Sequence, residues 1–454
     1  MDRSAQSSLL ADGFSWILIL LAIGGYALFG WSLYLLHTVP TAPPACTHEA
    51  SPSPGAVPEE LFVGITSTVG HYTGVLHPYP IPSDSNSAIC VIRASAGAVL
   101  RHYPLGDKQA LQALIAADGV LYYVLNDADL SSQLCAMAAR TGKTLWCRLV
   151  SITIPRPFQG SPLVLRDHIL YVVSQSSVSF SVEAFRASDG APLWEHTPVT
   201  GFAAGANGVV YIANTNNQVC AIQAGDGAQR RCAAQATPVA MTADEQALYV
   251  LGQDGSVVAF QASDATILWQ HTLPFKPVVS SSSFSFAFIV AGGILSIAAR
   301  GLSAASDVLT ALSASDGTTL WSTSPTFGLS TTASPGIVYQ GGQETLQALA
   351  RTTGQPIWQQ NFSPAQSQYQ LVAGGSMLYL LGSQGDLFAF STQDGRLLWK
   401  HTQCVASNST TQPTSGAFHG CWGTDPLDLG PNWYTTSSIN HGLSGQGILA
   451  VGNP

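Results

Sequence analysis

The chain has 454 residues, of which 9% are charged, and its formal net charge is −9 with only 17 Lys and Arg. So few basic residues give no cationic stripe for a phosphate backbone, which excludes nucleic-acid binding. Low charge with 43 glycines and 26 prolines argues against a solvated helical protein and for a β-rich one with many tight turns.

In chain order, residues 1–13 read as a short cytoplasmic tail. Residues 14–36, FSWILILLAIGGYALFGWSLYLL, carry no charge. As a helix rising about 1.5 Å per residue they reach about 34 Å, enough to cross a bilayer core. Trp16, Trp31 and Tyr34 sit near the ends, where interfacial aromatics belong. Arg3 precedes the span and no Lys or Arg follows it until Arg93. The positive-inside bias therefore predicts a single-pass anchor in the cell membrane with an extracytoplasmic C-terminal body. A cleaved signal peptide is the alternative. Residues 37–60 contain six prolines and read as a semi-extended spacer.

Residues 61–403 are a repeat. SVEAFRASDGAPLW (181–194) recurs as SVVAFQASDATILW, VLTALSASDGTTLW, TLQALARTTGQPIW and DLFAFSTQDGRLLW. AICVIRASAGAVLR, LCAMAARTGKTLWC and VCAIQAGDGAQRRC belong to the same set, making eight copies. Six end on Trp146, Trp194, Trp269, Trp321, Trp358 and Trp399, and two carry Arg101 and Arg231 instead. Apolar runs such as LYYVL, ILYVV and ALYVL precede most copies. Short strands at this spacing, four per roughly 40 residues, are the unit of a β-propeller blade.

The hairpin can be registered from its own chemistry. Centred on Asp189, a three-residue loop places Gly190 where a left-handed residue is wanted. Residues five to either side then oppose each other, pairing Ala184 with Trp194, and the same holds at Ala259–Trp269 and Ala348–Trp358. Four to either side, Phe185 is expected against Leu193 and Phe260 against Leu268. Both faces being apolar, each hairpin is expected between two neighbouring blades, with the six tryptophans wedged between them.

Six to either side, Cys135 opposes Cys147 and Cys220 opposes Cys232, which predicts two equivalent cross-strand disulfides. Cys90 holds the same place in the first copy but faces His102. Its partner is sought elsewhere, with Cys46 in the spacer as the expectation. Cys404 and Cys421 lie in the extension of residues 404–454 and are expected to form a fourth bridge. An even cysteine count in this geometry fits an oxidising compartment. The spacing lacks the short CxxC knuckle favoured by zinc, and His71, His77, His419 and His441 lack metal-ligand spacing, so no metal site is expected. The C-terminal GILAVGNP reads as a further inner strand that joins LFVGI (61–65) to complete the first blade.

The repeat A-x-x-A-x-D/T-G-x-x-L-W resembles the tryptophan-docking motif of quinoprotein-type (PQQ-like) β-propellers, and it covers about three quarters of the chain. The resemblance implies an all-β, eight-bladed propeller of four-stranded antiparallel blades. It is nearer to the β-barrel assembly factor B-type scaffolds than to PQQ dehydrogenases. The acidic residue usual four places before the glycine is replaced here by Arg93, Ala138, Arg186, Gln223, Gln261, Ser313, Ala350 and Ser391. The chain also lacks the vicinal Cys-Cys pair of the dehydrogenases, and no Glu/Asn/Asp calcium constellation is evident. The expectation is a non-catalytic scaffold, without cofactor or named catalytic residue, that binds a protein partner in the cell envelope or a ligand. A PQQ-dependent oxidoreductase is the alternative.

Overall fold

The computed structural model describes residues 60–452 except 68–85, 108, 128–131, 151–162, 176–179, 206–207, 236, 263–264, 278–285, 300–307, 324–329, 335, 342–344, 362–368, 375, 383–386 and 402–445. The span expected at 14–36, the spacer, Cys46, Cys404, Cys421 and the four loop histidines lie outside the described residues. Among the described residues no helix is long and apolar enough to cross a membrane.

The regular elements are β-strands. The first blade is begun by β1 (Glu60–Ser67), β2 (Asn86–Arg93) and β3 (Val99–Asp107). The second holds β4 (Gln109–Ala117), β5 (Val120–Asp127), β6 (Ser132–Ala138) and β7 (Thr144–Val150). The third and fourth share β8 (Leu163–Arg166), β9 (Ile169–Gln175), β10 (Phe180–Arg186), β11 (Pro192–Ala204), β12 (Val209–Asn214), β13 (Gln218–Gln223) and β14 (Gln229–Ala234). The fifth comprises β15 (Pro238–Ala243), β16 (Ala247–Gly252), β17 (Ser256–Gln261) and β18 (Ile267–Thr272). The sixth comprises β19 (Phe286–Ala291), β20 (Ile294–Ala299), β21 (Val308–Ser313) and β22 (Thr319–Thr323). The seventh comprises β23 (Ser330–Ser334), β24 (Ile337–Gly341), β25 (Thr345–Ala350) and β26 (Pro356–Asn361). The eighth comprises β27 (Tyr369–Gly374), β28 (Met377–Gly382), β29 (Leu387–Ser391) and β30 (Leu397–His401). Last comes β31 (Gln446–Gly452), which pairs antiparallel with β1, Phe62 facing Ala450, and supplies the fourth strand of the first blade.

Each sheet runs as a meander, and the first strand of one blade lies against the first strand of the next, as with β15 and β19 or β23 and β27. These are the innermost strands. In the first blade β31 takes that place, beside β4. The middle strands are buried on both faces, β16 along its whole length, whereas the outer strands β7 and β18 bury a tryptophan and expose most other positions. Apolar layers therefore lie between blades, which is why both faces of a strand such as β17 (SVVAFQ) are apolar.

The third and fourth blades are one continuous seven-stranded sheet. Its hinge is β11, 13 residues long. The N-terminal half pairs outward with β10 at Ala184–Trp194, and the C-terminal half pairs as an inner strand with β12 at Phe202–Ile212.

The hairpin register holds from five residues outward, at Ala184–Trp194, Glu183–Glu195, Thr310–Ser322 and Gln347–Gln359. The pairing expected at four is corrected. Phe185 faces Pro192, Phe260 faces Ile267 and Phe390 faces Leu397. The loop has four residues, Ala187–Gly190, closed by Gly190 N–H donating to the Arg186 carbonyl and Arg186 N–H to the Ala191 carbonyl, both at 2.8 Å. One extra residue is then absorbed as a bulge at Leu193, and the equivalent Leu268, Leu320 and Leu398 are exposed on the rim. Gly190 is left-handed, φ 66°, and the Asp189 carboxylate accepts from the Ala191 N–H at 3.0 Å. That hydrogen bond is the main cause holding the Asp189 carboxyl below its usual pKa.

Candidate functional site

The repeated tryptophans project from outer strands toward the following blade. The indole N–H of Trp146 donates to the Ala187 carbonyl at 3.1 Å, Trp194 to Ala224 at 2.7 Å and Trp269 to Ala314 at 2.9 Å. Trp321 donates to Arg351 at 2.7 Å, Trp358 to Thr392 at 2.9 Å and Trp399 to Ala94 at 2.8 Å. Every acceptor is the first loop residue of the next blade's hairpin. For five of the six the ring also covers that hairpin's glycine. A Cβ added at Gly190 would stand 2.5 Å from the Trp146 ring, and one at Gly354 would stand 2.6 Å from that of Trp321. Tyrosines of the second strands back the indoles, as Tyr171 does Trp194 at 5.8 Å and Tyr249 does Trp269 at 5.9 Å between centroids.

Two boundaries lack a tryptophan, and tyrosines that the sequence reading missed serve them. Tyr103, two residues beyond Arg101, donates its hydroxyl to the Ala139 carbonyl at 2.8 Å and lies over Gly142. Positions two apart share a strand face, which is the signal that could have found it. Arg101 itself pairs with Glu60 at 2.6 Å. In the fourth blade Arg231 is exposed, and Tyr211 donates instead to the Ala262 carbonyl at 2.7 Å. Burial, with Asp244 nearby, pushes the Tyr211 hydroxyl up to about 12. The turn glycine is also absent there. Ala265 takes its place with φ 56°.

Cys135–Cys147 and Cys220–Cys232 are disulfides between directly opposed residues of β6–β7 and β13–β14. Cys90 is buried, faces His102 and is disulfide-bonded as well. With the other four described cysteines paired to each other, its partner lies among Cys46, Cys404 and Cys421. In the third blade the place of these cysteines is taken by Glu183 and Glu195. Burial first, and then Glu195, raise the Glu183 carboxyl, while Ser174 donates to it at 3.4 Å.

Arg351 is the least expected residue of the fold. It is 1% exposed at a loop position that holds alanine in most copies. Its guanidinium donates to the carbonyls of Ile294 at 2.8 Å and Ser334 at 3.3 Å, tying the seventh blade to the sixth, and burial lowers it to about 10. Among the described residues no group of three or more His, Cys, Asp or Glu is placed to hold a metal ion. The innermost strands carry almost no charge. Across β4, β8, the inner half of β11, β15, β19, β23, β27 and β31 the sole charged residue is Arg166.

Antiparallel four-stranded blades docked in sequence by an indole or phenol on the next hairpin define a β-propeller of PQQ-like repeats. The family model described as outer membrane protein assembly factor BamB matches residues 178–305 and 304–420, more than half of the chain, and the chain belongs to that family. Among solved structures it is similar to the computationally designed Ika8 protein, at 16% identity over 65% of this chain and 88% of that one, TM-score 0.49. It is also similar to BamB from Moraxella catarrhalis, at 16% identity over 55% and 77%, TM-score 0.41. A third similar structure is the quinohemoprotein alcohol dehydrogenase ADHIIG from Pseudomonas putida HK5, at 11% identity over 72% of each chain, TM-score 0.45. No curated protein matches the chain.

Proposed function

We propose that the chain is a non-catalytic scaffold: an eight-bladed β-propeller, anchored in the cell membrane by residues 14–36, whose extracytoplasmic body binds a protein partner of the cell envelope. The observation that carries this reading is the family match over residues 178–420, whose description names an outer-membrane assembly factor. The docking contacts support it physically. They spend the aromatic and cysteine residues of the repeat on rigidity, which suits a platform whose loops present a fixed surface. The test is a pull-down with the full chain from its own detergent-solubilised membranes after mild crosslinking. One envelope protein retained in constant proportion is expected, and recovery of the bait alone overturns the reading.

The competing reading is a PQQ-dependent oxidoreductase. A multiply charged quinone carboxylate and its calcium ion need cationic and carboxylate donors around the ring's axis. The innermost strands supply Arg166 alone, which counts against that reading. Adding PQQ and calcium is expected to give no stoichiometric quinone absorbance and no dye reduction. Either signal favours the enzyme.

A further inference from the structure

The eight boundaries are not equally secured, and the one between the fourth and fifth blades stands apart. Its outer strand, β14, is the only one among the described outer strands that sends neither a tryptophan nor a tyrosine onto the next blade. No residue of β14 is buried, and Gln229, Arg230 and Arg231 are exposed. The receiving hairpin has changed with it. At six other turns an aromatic ring forbids a Cβ on the turn glycine, whereas Ala265 carries one. What holds this boundary lies deeper, in the Tyr211 hydroxyl on the Ala262 carbonyl and an apolar layer including Val250 and Phe260, to which β14 adds only Ala233.

On its other side the fourth blade is clasped firmly. It shares β11 with the third blade, Trp194 covers Gly227, and His196 meets the Gly227 carbonyl at 2.8 Å. The Cys220–Cys232 disulfide belongs to this third-blade side, where Cys220 is buried and Cys232 is partly exposed. It joins β14 to β13 on the opposite face from Arg231. The second blade carries the equivalent disulfide, but there Trp146 also pins the outer strand β7.

We infer that the Cys220–Cys232 disulfide is a redox latch, the covalent hold on an outer strand that has lost its aromatic dock, so that reduction frees β14 and loosens the rim between the fourth and fifth blades. A dithiol reductant is the chemical class required. One of its thiolates attacks the partly exposed Cys232 sulfur, the Sγ–Sγ bond breaks, and a mixed disulfide forms. Its second thiol then releases Cys232. Two electrons and two protons pass to the cysteines, and the reductant leaves as a disulfide.

Amide hydrogen exchange on the full-length, detergent-solubilised chain tests the inference. In the double variant Cys220→Ala/Cys232→Ala, amides of β14 are expected to exchange on the order of tenfold or more faster. In Cys135→Ala/Cys147→Ala, β7 is expected to change by less than about threefold because Trp146 remains. Adding Arg231→Trp with Ala265→Gly to the first variant supplies the missing dock and is expected to restore protection. If the first variant does not fold, dithiothreitol titration of the wild-type chain replaces it, with β14 loosening before β7. Equal loosening of both strands, unchanged exchange in β14, or failure of the supplied tryptophan to restore protection overturns the latch.

Discussion

Trp399 donates its indole N–H to the carbonyl of Ala94, 2.8 Å away and 305 residues earlier in the chain. The eighth blade thereby docks on the first with the contact used between the second and the third. Replacing Trp399 by Phe keeps much of the wedge and removes the donor, so a loss of about 1 kcal/mol is expected. Replacement by Ala also opens a cavity and is expected to cost about 3–5 kcal/mol. Urea unfolding of both variants is the check, and equal losses would show that the wedge contributes nothing beyond the hydrogen bond.

Gly354 and Ala265 occupy the same turn position under opposite constraints. Gly354 has φ 69°, and a Cβ there would stand 2.6 Å from the Trp321 ring. Gly354→Ala is expected to destabilise by about 1–3 kcal/mol. Ala265→Gly relieves a left-handed alanine but gives up a buried methyl, so the two effects offset and it is expected within about 0.5 kcal/mol of wild type. Denaturation midpoints of the two variants decide the matter.

The two tyrosine hydroxyls at neighbouring boundaries differ in how replaceable they are. Among the described residues Tyr211 alone reaches the Ala262 carbonyl, whereas the Ala314 carbonyl receives Trp269 at 2.9 Å, and the single Tyr249 proton is divided between that carbonyl at 3.3 Å and the partly exposed Asp244 carboxylate at 3.1 Å. Tyr211→Phe is expected to cost about 1–1.5 kcal/mol, and Tyr249→Phe roughly half of that or less. A larger loss from Tyr249→Phe in urea unfolding would contradict this ranking.

Glu183 gives a pH dependence of definite sign. Burial and Glu195 raise its carboxyl in the folded state, above the unfolded value of about 4.3. The folded protein therefore binds this proton more tightly. Stability from this site is full below the unfolded value and falls as pH rises through the raised one. Glu183→Gln is expected to remove that fall and to stabilise the protein at pH 7 by roughly 0.2–1 kcal/mol. Denaturation midpoints measured near pH 4 and near pH 7 for both proteins provide the comparison.

Cys90 is disulfide-bonded, and we expect its partner to be Cys46, with Cys404 joined to Cys421. Peptide mapping without reductant should recover a Cys46–Cys90 linkage. A peptide joining Cys90 to Cys404 or Cys421 would replace that assignment.

Much of the fold was legible because the hairpin has a strict period. Once Asp189 was taken as the centre, Ala184–Trp194 and Cys220–Cys232 followed from counting. Nearer the tip the count failed, because a four-residue loop and the bulge at Leu193 are backbone events that no side-chain pattern marks. Tyr103 was within reach, since it shares a strand face with Arg101. Tyr211 was not. It looks like every other second-strand tyrosine, and its role emerges only from the missing indole beside it. Arg351 was equally hidden, because a buried arginine that satisfies carbonyls across a blade boundary has no local signature.

The pairing of β31 with β1 carries a consequence for biosynthesis. A ribosome delivers the chain at about 5–20 residues per second. From the emergence of β1 to that of β31, on the order of tens of seconds pass at that pace. Throughout that interval the first blade lacks its innermost strand, and β1 presents a bare edge to other nascent or aggregating chains. Seven blades can mature in order of synthesis, while the first one made is the last one finished.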